Sequence, residues 1–353
     1  MSSSPLVTIV TPSYNTGRFI GDAVDSVLTQ AYRNIEYLVM DGGSTDNTLS
    51  ELRRFGDRIK WVSERDRGQS DALNKGFLRA KGQIFGWLNS DDTYAPNAVA
   101  EAVNFLWSHP EVAAVYGDAM FIDADGKDIA KCVHVEPFDK HRLLHYTDFI
   151  VQPACFFRRS AFEAVGGVDT SLHWCMDYDL WLKMINKGLK IAYLPKHLAN
   201  FRWLADNKTA TGDWGRLREI EKVVARYADG THGYIRLEMV NLHLQEAKKK
   251  LKRFRLVGTT SSLVKASATY LSSARAIRST FQGKTWKIVW TGQVLRKRAL
   301  AEQYAKEEVE KAKHAFEAKN KPAKAPGKGP GPNPALKTIG PPKPVTPQKP
   351  ATK

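Results

Sequence analysis

Cysteine is scarce in this chain of 353 residues: Cys132, Cys155 and Cys175 are widely spaced and form no metal-binding or disulfide motif. Three scattered cysteines argue against a disulfide framework and a zinc ribbon, and they favour a reducing compartment. No apolar run reaches the roughly 18 residues that a membrane-spanning helix needs. The N-terminus lacks the basic start and apolar core of a signal peptide. We therefore expect a cytoplasmic protein that meets a membrane, if at all, peripherally on its inner face.

Acidic residues are scarce in the last third of the chain. Residues 246–353 carry 25 lysines and arginines but only 6 glutamates, whereas residues 1–245 carry 28 basic and 31 acidic residues. The net charge of +16 therefore arises in the last third. Ten of the 17 prolines fall within 321–353, which is typical of a solvated tail. We expect a globular domain at 1–235, a basic helical extension at 236–320 and a disordered tail at 321–353.

Two kinds of partner suit the basic extension. Its charge could neutralise the phosphates of a nucleic acid, but no DNA- or RNA-binding motif accompanies it. An anionic membrane surface fits better, because four apolar residues share the spacing of one helix face among basic residues: Trp286, Val289, Trp290 and Val294. A solvated basic segment with no partner is the alternative.

The first hundred residues alternate short β-branched runs with helical patterns, which is typical of βαβ units in a mostly parallel sheet flanked by helices. We predict strands at 6–11, 35–40, 60–62 and 84–88, and helices at 19–30, 46–55 and 69–80. In such folds the loops at the carboxyl ends of the strands carry the functional residues. A dinucleotide-binding dehydrogenase would need GxGxxG after its first strand, where this chain has PSYN, so that class is disfavoured.

Two of the predicted strands end in polar motifs. The second leads into Asp41 and two glycines, so the backbone could approach a nucleoside while the carboxylate accepts its hydrogen bonds. A tight turn with Ser44 or Asp46 as a helix N-cap is the alternative. The fourth strand leads into Asn89-Ser90-Asp91-Asp92, where adjacent acids suit Mg²⁺ or Mn²⁺ together with substrate phosphates. A turn that caps the next helix is the alternative for these acids.

A third acidic cluster lies at Asp177 and Asp179. A helix is predicted over 179–187, with Asp179 as its N-cap. Asp177 would then lie just outside this helix, free to face a cleft and act as a general base.

Six stretches, in this order, resemble glycosyltransferase family 2, the inverting nucleotide-sugar transferases of the GT-A fold. They are VTPSYN, DGGSTDNT, DRGQSDALNKG, GWLNSDD, QPACFFRRSAF and MDYDLWLKM. The resemblance covers roughly residues 5–227. It implies a GT-A-like α/β domain that uses a nucleotide-sugar donor and a divalent cation.

The resemblance also implies roles for single residues. The nucleotide would lie against Pro12, Tyr14, Asn15, Asp41, Asp66 and Asn74, with Asp41 on the base. Asp91 would contact a Mn²⁺ or Mg²⁺ ion that bridges the diphosphate, with Asp92 beside it. Asp177 matches the family's catalytic aspartate and would be the base.

Three positions depart from the family pattern. Asn89 replaces the first acid of the DxD motif, and Met176 replaces the glutamate that precedes the base. Leu204 stands where relatives often place a histidine that closes over the diphosphate. Leucine cannot bind phosphate, so Arg202 or Lys208 would have to supply the positive charge there.

The expected function is the inverting transfer of a sugar from a nucleotide donor, a UDP-sugar by expectation, to a glycan or lipid-linked acceptor. Such a reaction belongs to cell wall or polysaccharide biosynthesis. The alternative is a nucleic-acid- or membrane-binding protein with a basic tail that keeps the fold without catalysis.

Overall fold

The computed structural model describes residues 4–204, 207–208, 213–228, 233–252 and 256–272. The apolar stripe from Trp286 to Val294 and the proline-rich tail lie outside the described residues. The division into segments at 235 and 320 stays a prediction.

The first half of the fold is the predicted parallel sheet. Strand β1 (Val7–Ser13) pairs in parallel with β2 (Ile35–Asp41) and with β4 (Ile84–Trp87), and β2 pairs in parallel with β3 (Lys60–Ser63). The connections contain α1 (Ile20–Leu28), α2 (Thr48–Arg53) and α3 (Gln69–Arg79). These strands and helices match the sequence prediction except at their ends, and α2 is shorter than predicted.

The second half adds antiparallel strands, which makes the sheet mixed. Its elements are β5 (Thr93–Tyr94), α4 (Ala98–Ser108), β6 (Val112–Ile122), β7 (Asp128–Lys131), α5 (Lys140–His145), β8 (Cys155–Arg158), α6 (Arg159–Ala164), α7 (Met176–Asn186) and β9 (Lys190–Arg202). The strand order is β3-β2-β1-β4-β8-β6-β9-β5, with β7 paired to β6. Strand β8 is antiparallel to both β4 and β6, and β9 is parallel to β6. The described chain thus has the mixed α/β architecture with flanking helices.

Helix α7 corrects one prediction. It begins at Met176, three residues before the predicted start, so Asp177 lies in its first turn and not outside it. Asp179 does not cap the helix, because its carboxylate pairs with Lys183 (3.0 Å) and Arg226 (3.1 Å). These cations thus hold the carboxylate that the sequence prediction assigned to the helix cap.

Three further helices follow the sheet. They are α8 (Asp213–Val224), α9 (Gly233–Lys252) and α10 (Leu256–Ser272), and α9 packs against both α8 and α10. The sequence pattern predicts a helix over 219–227, and helix α8 begins six residues before that start, at Asp213. Among the described residues, none of the helices combines the length and the hydropathy that crossing a bilayer requires.

The core between the sheet and its helices is rich in aromatic rings. Phe77 on α3 stacks on Phe85 of β4 with 4.8 Å between ring centroids, and Phe157 and Phe162 complete this cluster. Helix α3 approaches the sheet closely at Gly76, where a Cβ atom would lie 2.5 Å from Val10 Cγ1. This close packing fixes the position of α3, whose N-terminal end reaches the candidate site.

Candidate active site

The carboxyl ends of β1, β2 and β4 meet at one edge of the sheet. Ser13 is the register partner of Asp41, and the Leu88 amide that follows β4 donates to the carbonyl of Val10 on β1 (3.1 Å). The polar motifs that follow these strands therefore lie together, as expected for parallel strands.

Asp41 is buried and organises the loop that follows β2. Its carboxylate accepts hydrogen bonds from the Gly43 amide (3.1 Å), the Ser44 amide (2.9 Å) and the Ser63 hydroxyl (2.6 Å). It also accepts from the Ser44 hydroxyl. The tight turn that was the alternative is thus present in the structure. Contact between Asp41 and the base of a nucleotide stays a prediction.

Asn15 joins the first loop to the second. Its backbone has a φ of 53°, a left-handed conformation that asparagine tolerates better than most residues. Its side-chain oxygen accepts from the Thr45 amide (2.8 Å), and its own amide donates to the Ser44 hydroxyl (2.8 Å). Pro12 is buried in β1, while Tyr14 is 62% exposed and available to a ligand.

Asp66 approaches the second loop at a glycine. A Cβ atom on Gly42 would lie 2.6 Å from Asp66 Oδ2, so a side chain at residue 42 would displace the Asp66 carboxylate. Asn74 is used differently: its amide nitrogen donates to the Val168 carbonyl (2.8 Å) and its oxygen accepts from the Val168 amide (3.0 Å). Asn74 therefore ties α3 to the segment before α7, and its contact with a nucleotide stays a prediction.

Asn89 is the centre of a polar network, which gives a physical reason for the departure from the DxD pattern. Its oxygen accepts from Trp87 Nε1 (2.8 Å) and Gln69 Nε2 (2.8 Å). Its nitrogen donates to Asp92 Oδ2 (3.2 Å) and Gln152 Oε1 (2.9 Å). An aspartate could not donate either of the last two bonds, so the amide is the side chain that this environment satisfies.

Asp91 and Asp92 lie side by side in the turn after β4, but in different environments. Asp92 is 1% exposed, and burial, together with the charge of Asp91, raises its pKa well above its usual range. Asp92 Oδ1 accepts from the backbone amide of Arg202 (2.9 Å). Asp91 is only partly buried and so is the more accessible of the two carboxylates.

The oxygen ligands of this turn fit a divalent cation only in part. Within the residues that the structure describes, no three histidine, cysteine, aspartate or glutamate side chains gather as metal ligands. Mg²⁺ commonly takes one or two carboxylates and completes its shell with substrate phosphates and water. Asp91, with Asp92 beside it, is consistent with that kind of shared site.

Arg202 is 1% exposed and is hydrogen-bonded to the turn that carries Asp91 and Asp92. Its guanidinium donates to the carbonyls of Asp91 (2.8 Å), Asp123 (3.0 Å) and Ala124 (3.0 Å) and to the carboxylate of Asp22 (2.8 Å). Most of its N–H groups are thus committed within the protein. Its predicted contact with a diphosphate is untested, and these bonds give it a role in holding the turn.

Lys208 lies among the acids of the site. Its ammonium donates to Gln69 Oε1 (2.9 Å) and to the His173 carbonyl (3.3 Å). Burial lowers its pKa, while the charges of Glu219, Asp177, Asp66 and Asp91 oppose that shift. Because Lys208 interacts with acids from three separate motifs, it is placed where a negatively charged ligand could be bound.

Asp177 is an acid of the site whose pKa is raised into the neutral range. Burial raises the pKa of Asp177 to about 6, although a hydrogen bond from the Tyr178 amide (2.8 Å) and the charges of Lys208 and Arg216 stabilise its ionised form. A carboxyl group with a pKa near the working pH is suited to general-base catalysis. Its location in the first turn of α7 also directs the positive end of a helix at this group.

Four polar residues at or near the site were missed by the sequence interpretation. Gln69 and Gln152 belong to the quoted motifs but had no assigned role. Asp148 stands immediately before the apolar run Phe149-Ile150-Val151, so an acid beside an apolar run was a usable signal. Burial and the charge of Asp177 raise the pKa of Asp148 well above its usual range. Glu219, described below, carried no sequence signal.

Comparison with known proteins gives a consistent result. The family model described as "Glycosyl transferase family 2" matches residues 8–166. An uncharacterized glycosyltransferase of Rickettsia typhi is 32% identical over 194 residues, which are 52% of this chain and 59% of that protein. The chondroitin synthase of Pasteurella multocida is 31% identical over 206 residues, which are 58% of this chain and 21% of that protein. The chain thus spans less than two thirds of the length of these relatives.

Two solved structures illustrate the fold that this chain shares. A mannosyltransferase from Pyrobaculum calidifontis, in complex with GDP-Man and Mn²⁺, has a TM-score of 0.53 at 21% identity and covers 86% of this chain and 85% of its own. TarS 1-349 of S. aureus, in complex with UDP-GlcNAc, has a TM-score of 0.53 at 14% identity and covers 79% of this chain and 92% of its own. At these identities the likeness establishes a common fold and nothing finer.

Proposed function

Because residues 8–166 belong to glycosyltransferase family 2 and the fold is GT-A-like, as the sequence resemblance predicted, we propose that this chain transfers a sugar from a nucleotide-sugar donor to a hydroxyl group. The acceptor is a glycan or a lipid-linked glycan, and the product belongs to a polysaccharide or the cell wall. Similarity to the chondroitin synthase of Pasteurella multocida supports a glycan acceptor. Neighbours in complex with UDP-GlcNAc and with GDP-Man support a nucleotide-sugar donor, and among these we propose a UDP-sugar.

The observation that carries the proposal is the location of Asp177 in the first turn of α7, with a raised pKa and a charge that interacts with the Lys208 ammonium. In the proposed reaction Asp177 takes the proton of the acceptor hydroxyl as that oxygen attacks the anomeric carbon. The bond from the anomeric carbon to the diphosphate oxygen breaks in the same step, so the configuration inverts. Lys208 would stabilise the departing nucleoside diphosphate.

A divalent cation at Asp91 would neutralise further charge on the leaving group, as a Lewis acid does. The Mn²⁺ in the Pyrobaculum calidifontis complex and the oxygen ligands of Asp91 and Asp92 support this part of the proposal. Asp92 would assist as a neighbouring acid, held in place by Asn89 and the Arg202 amide.

The test is Asp177→Asn, assayed against a panel of UDP- and GDP-sugars with Mn²⁺, with Mg²⁺ and with a chelator. We expect transfer or donor hydrolysis to fall by about 10²- to 10⁴-fold, the contribution of a positioned base. Affinity for the donor should stay near that of the wild type, because the substitution keeps the size of the side chain. Because the proposed reaction uses a divalent cation, we expect the chelator to abolish activity.

The matched control is Asp57→Asn, the same change at an exposed position remote from the strand ends. It should behave as the wild type does. Transfer by the Asp177 variant within about threefold of the wild type, far less than the loss of a base predicts, would remove Asp177 from this role. Absence of turnover with every donor in the panel would instead favour a binding protein that keeps the fold without catalysis.

A further inference from the structure

Three consecutive backbone amides before α7 converge on one carboxylate from α8. Glu219 Oε2 accepts from the His173 amide (2.9 Å), and Oε1 accepts from the amides of Trp174 (2.6 Å) and Cys175 (2.9 Å). The Cys175 thiol donates to the same Oε1 atom (3.3 Å). One side chain thus satisfies four donors on a segment about 45 residues earlier in the chain.

These bonds include one of the amides that the start of a helix leaves without a partner. The first amides of a helix lack partners within the helix, and an N-cap side chain usually accepts from one of them. Cys175 occupies the N-cap position of α7 and makes no such bond with its side chain. Burial acts to raise the pKa of Glu219, but the three amide donors hold it below its usual range. Glu219 is therefore an ionised acceptor that binds the N-cap amide of α7 and the two amides before it.

A second side chain, that of Lys208, binds residues 173–175 through a carbonyl group. Lys208 donates to the carbonyl of His173 (3.3 Å), while Glu219 accepts from the amide of that residue. The segment is thus bound through both its N–H and C=O groups, by side chains of opposite charge. Asp177 follows it by two residues, so the backbone that carries the base is fixed where the helix begins.

We propose that Glu219 is a positioning residue for Asp177: its carboxylate fixes residues 173–175 and thereby the direction in which α7 presents the base. The inference rests on the proposed function, since it assigns Asp177 the role of base. Glu219 touches neither substrate nor reacting atoms in this account. A displacement of about 1 Å at a catalytic group can cost on the order of 10²-fold in rate, so loss of the carboxylate should reduce turnover.

The experiment compares Glu219→Gln and Glu219→Ala in the full-length chain. Helix α8 supplies a matched control in Glu221→Gln, because Glu221 pairs with Arg236 (3.1 Å) and has no hydrogen bond to residues 173–175. Three quantities are measured: hydrogen exchange of the amides of residues 173–175, kcat for transfer or donor hydrolysis, and the dissociation constant of the donor nucleotide.

We expect faster exchange at residues 173–175 in both Glu219 variants and no change in the control. The value of kcat should fall by about tenfold or more in Glu219→Ala and by less in Glu219→Gln, whose amide oxygen can still accept. Donor affinity should stay within about twofold, because a displaced base affects the transition state and not nucleotide binding. Partial rescue by glutamine is the signature of the hydrogen bonds.

Unchanged exchange, or a kcat equal to that of Glu221→Gln, would overturn the inference. A parallel loss of donor affinity and kcat would also overturn it, since that pattern indicates general damage to the fold. If Glu219→Ala does not fold, Glu219→Gln decides alone through the same three quantities. Asp177→Asn separates the two proposals. An active Asp177 variant defeats the assignment of the base, whereas hydrogen exchange tests whether Glu219 holds residues 173–175 without reference to catalysis.

Discussion

Asp177 and Asp148 are carboxyl groups whose charges interact, and the charge of Asp177 also interacts with the ammonium of Lys208. Burial raises the pKa of each acid, and the charge of Asp177 raises the pKa of Asp148 further. Asp177 therefore ionises first, while Asp148 stays protonated. At the scale of the residue, burial sets the protonation of the proposed base, and the ionised base keeps an acid 29 positions earlier in its neutral form.

Asp148→Asn should leave the pKa of Asp177 close to that of the wild type, because the raised pKa of Asp148 keeps this neighbour uncharged in the range where Asp177 ionises. A base must be deprotonated to act, so transfer should decline as the pH falls through about 6 in both proteins. Asparagine keeps an oxygen for the Ile150 amide, which donates to Asp148 Oδ1 (3.1 Å). The measurement is the dependence of kcat/KM on pH, with Asp125→Asn at the surface as control. An acid limb at a lower pH in the Asp148 variant would show instead that an ionised Asp148 raises the pKa of the base.

Helices α3 and α8 each hold parts of the candidate site through side-chain hydrogen bonds. Helix α3 brings Gln69 to Asn89 and holds residue 168 through Asn74. Helix α8 brings Glu219 to the start of α7, and the segment that follows it pairs Arg226 with Asp179. At the scale of the element, the loops of the candidate site are thus fixed by helices that contact distant parts of the chain.

Gly76→Ala should destabilise the fold by about 1 to 3 kcal/mol, the usual cost of overpacking. The new Cβ would lie 2.5 Å from Val10 Cγ1 and 3.0 Å from Met40 Cγ, and both of these side chains are buried in the sheet. Gly21→Ala on α1 is the matched control, because nothing lies within 4 Å of its Cβ position. Denaturant unfolding of both variants measures the difference. Equal free energies of unfolding would mean that α3 can move away from the sheet without cost.

The charge of the whole molecule is divided along the chain. Residues 273–353 carry 18 basic and 5 acidic residues, and they follow α10, which packs against α9. Ser262 and Ala266 of α10 are buried, so a chain cut after Phe254 would lose this packing. The cleaner truncation ends at Ser272. This cut separates the proposed membrane-binding role of the basic segment from the described part of the fold.

The chain truncated after Ser272 should keep donor hydrolysis and lose co-sedimentation with anionic liposomes at low salt. The expected attraction is about 1 kcal/mol for each basic residue near the surface, and salt should weaken it steeply. Retention of a labelled oligonucleotide by the full-length chain alone would point to nucleic acid instead. Equal sedimentation of both chains with liposomes would contradict the membrane interpretation, and loss of hydrolysis would show that catalysis needs residues 273–353.

The amino-acid sequence by itself determined the parallel half of the sheet, because the strands and helices of βαβ units follow from hydrophobic periodicity over short windows. It also carried the resemblance to glycosyltransferase family 2 over residues 8–166, since the motifs are short and contiguous. The tertiary structure decided how those motifs are held. Asn89 binds side chains up to 63 positions away, and Glu219 accepts from the N-cap amide of α7, 44 positions before it. Such contacts depend on how distant segments pack, and no local pattern encodes them; for that reason Asp177 was placed outside a helix that in fact begins before it.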